Sequence, residues 1–436
     1  MAKLRRILLP PNWKVKQKEN KCDMMKKIIA IIYLVCAIVL NMNAQKITIQ
    51  TGIEVLKKQN FKILEGKRVG LITNPTGVDN NMKSTIDILH EAPNVQLVAL
   101  FAPEHGVRGD AHAGDHVDNA TDSKTGLPVF SLHGKTKVPT PDMLQNIDVL
   151  VYDIQDIGCR SYTYVSTMGL AMEAAAQNGV EFVVLDRPNP LGGLKVEGGI
   201  VDNDSLVSLV SQFKIPYIYG LTCGEVAQLL NGERMMKAQA KLTVVKMKGW
   251  KRKMRYEETG LQWIPASPHI PHPTSALFYP VSGILGELGY ISIGVGYTIP
   301  FQMFAAEWIN ASDLAQNLNA LDLPGLYFRP IYLKPFYSVG QGKQLEGVQV
   351  HLMNYDKVRL SEIQFYVMQE VAKLYPDKAV FDHADTKRFN MFDKVSGSTS
   401  VRINFAKNNR FDDIKDFWYK DVKPFQQLSK KYYLYK

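Results

Sequence analysis

The stretch FAPEHGVRGDAHAGDHVD, residues 101–118, places Glu104, His105, Asp110, His112, Asp115, His116 and Asp118 close together. Such a set can ligate a metal, present a carboxyl for acid/base work, or simply make a polar loop. His112 and His116 stand four apart, the spacing of one helix face. Gly114 and the absence of apolar periodicity argue against a helix there. No His-Glu-x-x-His run and no cysteine pair supports zinc, so no metal is assigned. Glu104 differs from its neighbours. Pro103 and Gly106 fix a tight exit around it, aiming its side chain into whatever crevice lies beyond. A carboxyl half-buried against apolar walls has a raised pKa and can act as a general acid. A second polar run, DIQDIGCRSYTY, supplies Asp153, Asp156, Arg160, Tyr162 and Tyr164, and a third, DRPNPLGG, supplies Arg187 and Asn189. Paired carboxylates among aromatic side chains suit glycoside hydrolysis. They equally suit sugar binding without turnover, and each carboxylate can instead be an ion-pair partner of Arg108, Arg160 or Arg187. Cys159 and Cys223 lack any local nucleophile signature, and no Gly-x-Ser-x-Gly is present.

Each polar run follows a short apolar, β-branched run. KRVGLIT (Lys67–Thr73) precedes NPTGV, VQLVALF (Val95–Phe101) opens into the Glu104 loop, IDVLVYDI (Ile147–Ile154) enters the second polar run, and VEFVVLD (Val180–Asp186) enters the third. Helical patterns alternate with them at Ser84–Ala92, with Ser84 as N-cap, and at Gly169–Gly179. Strands alternating with helices predict an α/β fold: a Rossmann-like N-terminal domain with a mostly parallel sheet, then a smaller α/β C-terminal domain. In such sheets ligands bind beyond the carboxyl ends of the strands, so the four loops are expected to line one crevice. No Gly-x-Gly-x-x-Gly follows the first strand and no P-loop occurs, so no nucleotide cofactor is expected. Thr222 and Glu225 have capping-box spacing. The proline-rich stretch 263–280 reads as a linker or long loop, followed by a strand at GVQVHLM, a helix at LSEIQFYVMQEVAKLY and a basic, aromatic tail.

The chain has 436 residues, 46% apolar and 22% charged, enough for more than one domain. Its formal charge of +10 misleads. Nine Lys/Arg fall within residues 1–44 against Glu19 and Asp23, so most of the excess sits there and a nucleic-acid partner is not expected. Residues 24–45 have the layout of an export signal: Lys26 and Lys27, the apolar run Ile28–Leu40, then Ala44. Translation is expected to begin at Met24 or Met25. The expected organisation is a signal over 1–44, a catalytic domain over 45–265 and a second domain over 266–436. The mature chain is expected to be periplasmic or extracellular, meeting the membrane only during export. It would retain Cys159 and Cys223, enough for one disulfide but no framework.

Four motifs, APEHGVRG, DIQDIGCRSYTY, VLDRPNPLGG and WIPASPHIP, occur in order. Together they resemble the family of unknown function DUF1343, whose members act as exo-β-N-acetylmuramidases. The resemblance covers about Gln45 to Lys436. It implies a Rossmann-like domain followed by a smaller α/β domain, and release of N-acetylmuramic acid from non-reducing ends of peptidoglycan fragments. By this resemblance Glu104 is the catalytic acid and His105 orients substrate or tunes that acid. Asp153, Asp156, Arg160 and Tyr164 line the sugar site, with Arg187 and Asn189 in the following turn. The second catalytic group is Asp153, Asp156, Glu287 or the substrate's own acetamido group. Arg160 or Arg187 is the expected anchor for the substrate carboxylate. The stretch ELGYISIGVGYTIPF, residues 287–301, departs from the family pattern: Val295 stands where Arg is expected and Tyr297 where Thr is expected. PHIP (Pro268–Pro271) likewise replaces PNMP. The alternatives are a non-catalytic cell-wall sugar-binding protein and a metal-dependent hydrolase using the 104–118 loop.

Overall fold

Five parallel pairings and one antiparallel edge build a seven-stranded sheet. Its strands are β1 (Arg68–Thr73), β2 (Gln96–Ala102), β3 (Ala120–Thr121), β4 (Pro128–Ser131), β5 (Val149–Asp153), β6 (Glu181–Leu185) and β7 (Leu242–Val245). The order is β3-β4-β2-β1-β5-β6-β7, with only β3 antiparallel to its neighbour. The computed structural model describes residues 24–32, 49–104, 106–108 and 120–436. Residues 49–436 form one compact unit and residues 1–48 another. Of the second unit, residues 24–32 are helical. Most of the apolar run expected as an export signal, and the loop bearing His105, Asp110, His112, Asp115, His116 and Asp118, lie outside the described residues. Among the described residues no helix is long and apolar enough to cross a membrane.

The central strands read as near-continuous apolar runs because both faces of the sheet are covered. Alternation sends Leu150 and Tyr152 of β5 to one face, with Phe182 and Val184 of β6. Val149, Val151 and Val183 go to the other. Seven helices matter here: α1 (Gly52–Lys58), α2 (Thr85–Glu91), α3 (Tyr164–Gln177), α4 (Cys223–Gly232), α5 (Pro273–Gly286), α6 (Ala311–Ala320) and α7 (Ile363–Leu374). Ile86 and Leu89 of α2 pack on one face of the sheet. Val165, Met168, Ala171 and Met172 of α3 pack on the other. Ser84 caps α2 by accepting from the Ile86 N–H. Thr222 and Glu225 form the reciprocal capping box of α4.

Three further strands, β8 (Met303–Ala306), β9 (Leu326–Leu333) and β10 (Leu345–Leu352), make an antiparallel sheet ordered β8-β10-β9. Phe304, Val348, Phe365 and Trp418 join the same buried cluster as the α3 face of the large sheet, so the two sheets share a core. The C-terminal tail also crosses back to the large sheet. Tyr435 donates to Asp186 and the Leu434 N–H to Glu225, while Tyr433 lies under the Arg252 guanidinium, 3.5 Å from ring centroid to Cζ. The tail read from sequence only as basic and aromatic is a clasp.

Two expectations are corrected. α3 begins at Tyr164, five residues before Gly169. The stretch expected to be irregular, 263–280, runs into a fourteen-residue helix, α5, with Pro273 in its first turn and Pro280 inside it. Proline is favoured in a helix's first turn, where its missing N–H has no intrahelical acceptor. Pro280 does remove an interior bond, and burial of Ala276, Leu277, Val281, Ile284 and Leu285 outweighs that loss. Cys159 and Cys223 are both buried and free, so the single disulfide they could have made is absent.

The strand order reverses between β1 and β5, the place where open α/β sheets normally accept ligands. Here it is filled by protein. Asp153, the last residue of β5, is fully buried. It receives Arg187 Nε at 2.6 Å and Nη2 at 2.9 Å, with Thr85 Oγ1 on its second oxygen. Arg187 Nη2 also donates to the Val78 carbonyl at 2.9 Å. Removing one partner of a buried pair leaves an uncompensated charge, at a cost of about 3–5 kcal/mol. Arg187→Ala is therefore expected to lower the unfolding free energy by about that amount, measured by urea denaturation, and a loss below about 1 kcal/mol contradicts the assignment.

Candidate active site

Past Asp153 the chain makes a tight turn, braced by several buried hydrogen bonds, that sets up everything beyond it. Gln155 N–H donates to Thr76 Oγ1 at 2.8 Å, tying this turn to the loop after β1. Asp156 accepts from the Gly158 N–H at 2.7 Å and from the Tyr219 hydroxyl. Burial pushes the Asp156 carboxyl up to about 6, against the pull of those donors. Gly158 sits at φ +80°, and a Cβ there would lie 2.3 Å from Asn189 Oδ1. Only glycine allows the second and third polar runs to pack this closely. Asn189 in turn accepts from the Leu191 N–H and donates to the Leu221 carbonyl, holding its own turn.

Arg160 is also fully enclosed. It donates to the carbonyls of Gly199 and Ile215 at 2.7 Å each and of Val395 at 2.9 Å, and burial lowers its pKa to about 10. It pins the polar loop to three distant segments. Tyr164 is buried and donates to the Ala266 carbonyl at 2.7 Å.

Only after these anchors does the chain reach a cavity. Ser161, Tyr162 and Thr163 form one wall of a space of about 340 Å³. Glu104, beyond the end of β2, lines the same space and accepts from Thr163 Oγ1 at 2.9 Å. The opposite wall is α5 and its exit: Tyr279, Gly283, Gly286 and Glu287, then Ile293, Val295 and Phe301. Tyr279 links the walls, accepting from Ser161 Oγ at 3.2 Å and meeting Tyr162 edge-on at 5.7 Å and Phe301 at 5.0 Å between centroids. A Cβ on Gly286 would lie 2.4 Å from Ile293 Cδ1, so glycine there lets the α5 exit fold back tightly. His269 lines the cavity and shares a 2.9 Å hydrogen bond with the Tyr337 hydroxyl.

Glu287 is the C-cap residue of α5. Burial raises its pKa to about 7, with the Arg388 charge opposing the rise. The negative end of the helix dipole at this position disfavours the carboxylate further. A proton-holding carboxyl and a hydroxyl-bonded glutamate thus share one aromatic-walled cavity.

Of the residues expected at the site, Glu104 and Glu287 come together here. Asp153, Asp156, Arg160, Tyr164, Arg187 and Asn189 do not line the cavity, since burial and their own partners commit them to the scaffold. His105 lies outside the described residues. Among the described residues the cavity draws on two of the four expected loops, those after β2 and β5, while the loops after β1 and β6 brace them. The cavity lining holds no Lys or Arg among the described residues, so neither Arg160 nor Arg187 anchors a ligand in it. The same residues form no group of three or more His, Cys, Asp or Glu able to hold a metal. Sequence reading missed Thr163, Tyr279 and Ser161 as wall residues. Ser161 and Thr163 lay within a quoted motif, whereas the prolines around Tyr279 hid its helix.

Residues 69–274 match the family model described as exo-β-N-acetylmuramidase NamZ, N-terminal, and residues 277–435 match its C-terminal counterpart. The peptidoglycan β-N-acetylmuramidase NamZ of Bacillus subtilis (strain 168) is 45% identical over 395 residues, 91% of this chain and 93% of that protein. A DUF1343 family protein of Bacteroides fragilis NCTC 9343, known as a crystal structure, is 71% identical. It aligns with a TM-score of 0.87 over 89% of this chain and 100% of its own. A second DUF1343 protein of that organism aligns with a TM-score of 0.68 at 28% identity, over 89% of this chain and 99% of its own. With both domain models and most of the chain accounted for, the protein belongs to the exo-β-N-acetylmuramidase NamZ family.

Proposed function

We propose that this protein is an exo-acting glycoside hydrolase that releases N-acetylmuramic acid from the non-reducing ends of peptidoglycan fragments. Its active site is the cavity shared by Glu104 and Glu287. The observation that carries the assignment is that pairing: two carboxyl groups in unlike surroundings, in one cavity walled by Tyr162, Tyr279 and Phe301. About 340 Å³ is at the small end of ligand-site sizes, suited to one terminal sugar rather than a long glycan. Export to the periplasm or cell exterior belongs to the same reading, supported by the Lys26–Lys27, Ile28–Leu40 and Ala44 pattern.

The chemistry follows from the two environments. Cleavage needs one carboxyl to protonate the leaving oxygen and a second to support the oxocarbenium-like centre or activate its attacker. Glu287 is the group that holds a proton near neutrality, so it takes the acid's role that sequence reading gave to Glu104. Glu104 takes the complementary role, positioned by Thr163. Hydroxyls of Ser267 and Ser338 line the cavity as neutral donors for the sugar's polar groups.

A chromogenic β-N-acetylmuramide is expected to be cleaved and the matching β-N-acetylglucosaminide left intact. Cleavage of neither sugar overturns the reading. Glu104→Gln is expected to lower kcat about 10²–10⁴-fold on both nitrophenyl glycoside and natural disaccharide. Glu287→Gln is expected to do so on the disaccharide and to spare the nitrophenyl glycoside, whose leaving group departs without protonation. The reverse pattern restores the acid's role to Glu104. In the pH profile, kcat/KM on the disaccharide is expected to fall as pH rises through about 7, where Glu287 loses its proton. A rate unchanged up to pH 9 contradicts Glu287 as the acid.

A further inference from the structure

Away from the Glu104–Glu287 cavity, two other cavities share a pair of cations. The larger, about 330 Å³, is lined by Lys195, Lys253, Arg255, Lys357 and Arg359, against a single acidic side chain, Asp356. The smaller, about 160 Å³, is lined by Leu323, Pro324, Leu326, Ile363 and Tyr366, with Glu362 at its edge. Lys357 and Arg359 border both. Neither space shares a lining residue with the Glu104–Glu287 cavity.

The cations are held together with little compensation. Lys253, Lys357 and Arg359 have no ion-pair partner among the described residues. Lys195 gives its ammonium to the Val358 carbonyl at 2.7 Å, and Arg255 reaches Glu258 only at 3.7 Å. Tyr355 is the platform that gathers them. Its hydroxyl is fixed on the Leu191 carbonyl at 2.9 Å, with Lys195 Nζ 4.5 Å and Arg255 Cζ 5.4 Å from its ring centroid. Burial lowers the Lys195 pKa; Glu197 opposes this and the nearby Arg359 charge adds to it. Nearly buried Arg252 also lines the larger cavity, but its charge is met by Glu225 at 2.6 Å and only its Nε lacks an acceptor among the described residues. Like charges kept this close repel one another, and an anion placed among them relieves that repulsion. A small inorganic anion would need only the larger cavity. The adjoining apolar space asks for a ligand with a short aliphatic part beside its oxyanion groups.

We propose that Lys357 and Arg359 sit at the centre of a second binding site, one for an acidic peptide. Its carboxylates meet the cations and one small apolar side chain enters the 160 Å³ cavity. Peptidoglycan fragments carry acidic peptides, so the site fits the peptide arm of the substrate or of a co-product. That identification rests on the proposed function, whereas the recognition chemistry does not.

The test is calorimetric titration of the full chain with acetyl-Ala-γ-Glu-Ala, which carries two carboxylates, and with its diamide. The acid is expected to bind, to weaken at least tenfold between 50 and 500 mM salt, and to outbind the diamide at least tenfold. Lys357→Ala and Arg359→Ala combined are expected to abolish binding while leaving the melting temperature and muramide turnover unchanged. Lys253→Ala, at an exposed position, gives a partial loss if the double variant fails to fold. No binding of the acid, or equal binding of the diamide, overturns the proposal. Displacement of the peptide by inorganic phosphate at equal concentration also overturns it, reassigning the cavity to a phosphate ligand. Turnover of the muramide without peptide binding sinks this inference alone. Peptide binding without turnover sinks the glycosidase reading alone.

Discussion

The Asp153–Arg187 ion pair is the constraint on which the rest of the site depends. It stands where the parallel sheet reverses its winding, at the carboxyl ends of β1 and β5. Two charges removed from water must satisfy each other and every remaining polar atom, or the fold loses several kcal/mol. Both oxygens of Asp153 and two nitrogens of Arg187 are used, through Thr85 and the Val78 carbonyl as well as through each other. One pair thereby fixes the loops after β1, β5 and β6. Because the usual ligand position is occupied, the cavity is displaced outward, to where the loop after β5 meets α5.

That displacement explains what the sequence could and could not disclose. The strands and the polar runs following them are local features, and β1, β2, β5, β6 and the caps of α2 and α4 emerged near their expected positions. Whether a polar residue faces a ligand or the scaffold is not local. Arg160 is recognisable as an arginine in a polar loop, but its three acceptors come from residues 199, 215 and 395. Asp153 and Arg187 are 34 residues apart and look like site residues because they cluster in motifs. Their clustering reflects a shared buried network instead.

Glu104 and Glu287 illustrate the same limit from the other side. Both were visible as acidic residues in marked positions, but their unlike surroundings are not carried by the sequence. Burial raises the pKa of Glu287, an effect that no local motif discloses. Glu287 owes its environment to α5, the helix concealed by Pro273 and Pro280. A helix whose core-facing residues are buried survives an interior proline, and its C-terminus then delivers a carboxyl where the dipole disfavours charge.

The distribution of charge over the compact unit is uneven in a way that bears on specificity. Among the described residues the Glu104–Glu287 cavity is lined by two acids and no Lys or Arg, while six basic side chains, Arg252 among them, line the space beside Tyr355. Cations inside the catalytic cavity would lower the pKa of Glu287 and release its proton below neutrality. Arg388 already opposes the rise at Glu287, and burial outweighs it. The polar side chains that line the cavity among the described residues are hydroxyls, His269 and the two glutamates, which are less charge-selective towards an anion than a guanidinium. Recognition of further negative charge on a cell-wall fragment is then best performed elsewhere, on a surface where cations do not compromise the proton donor. Keeping an acid protonated and collecting anionic ligands are incompatible demands on one cavity, and the proposed division assigns them to two.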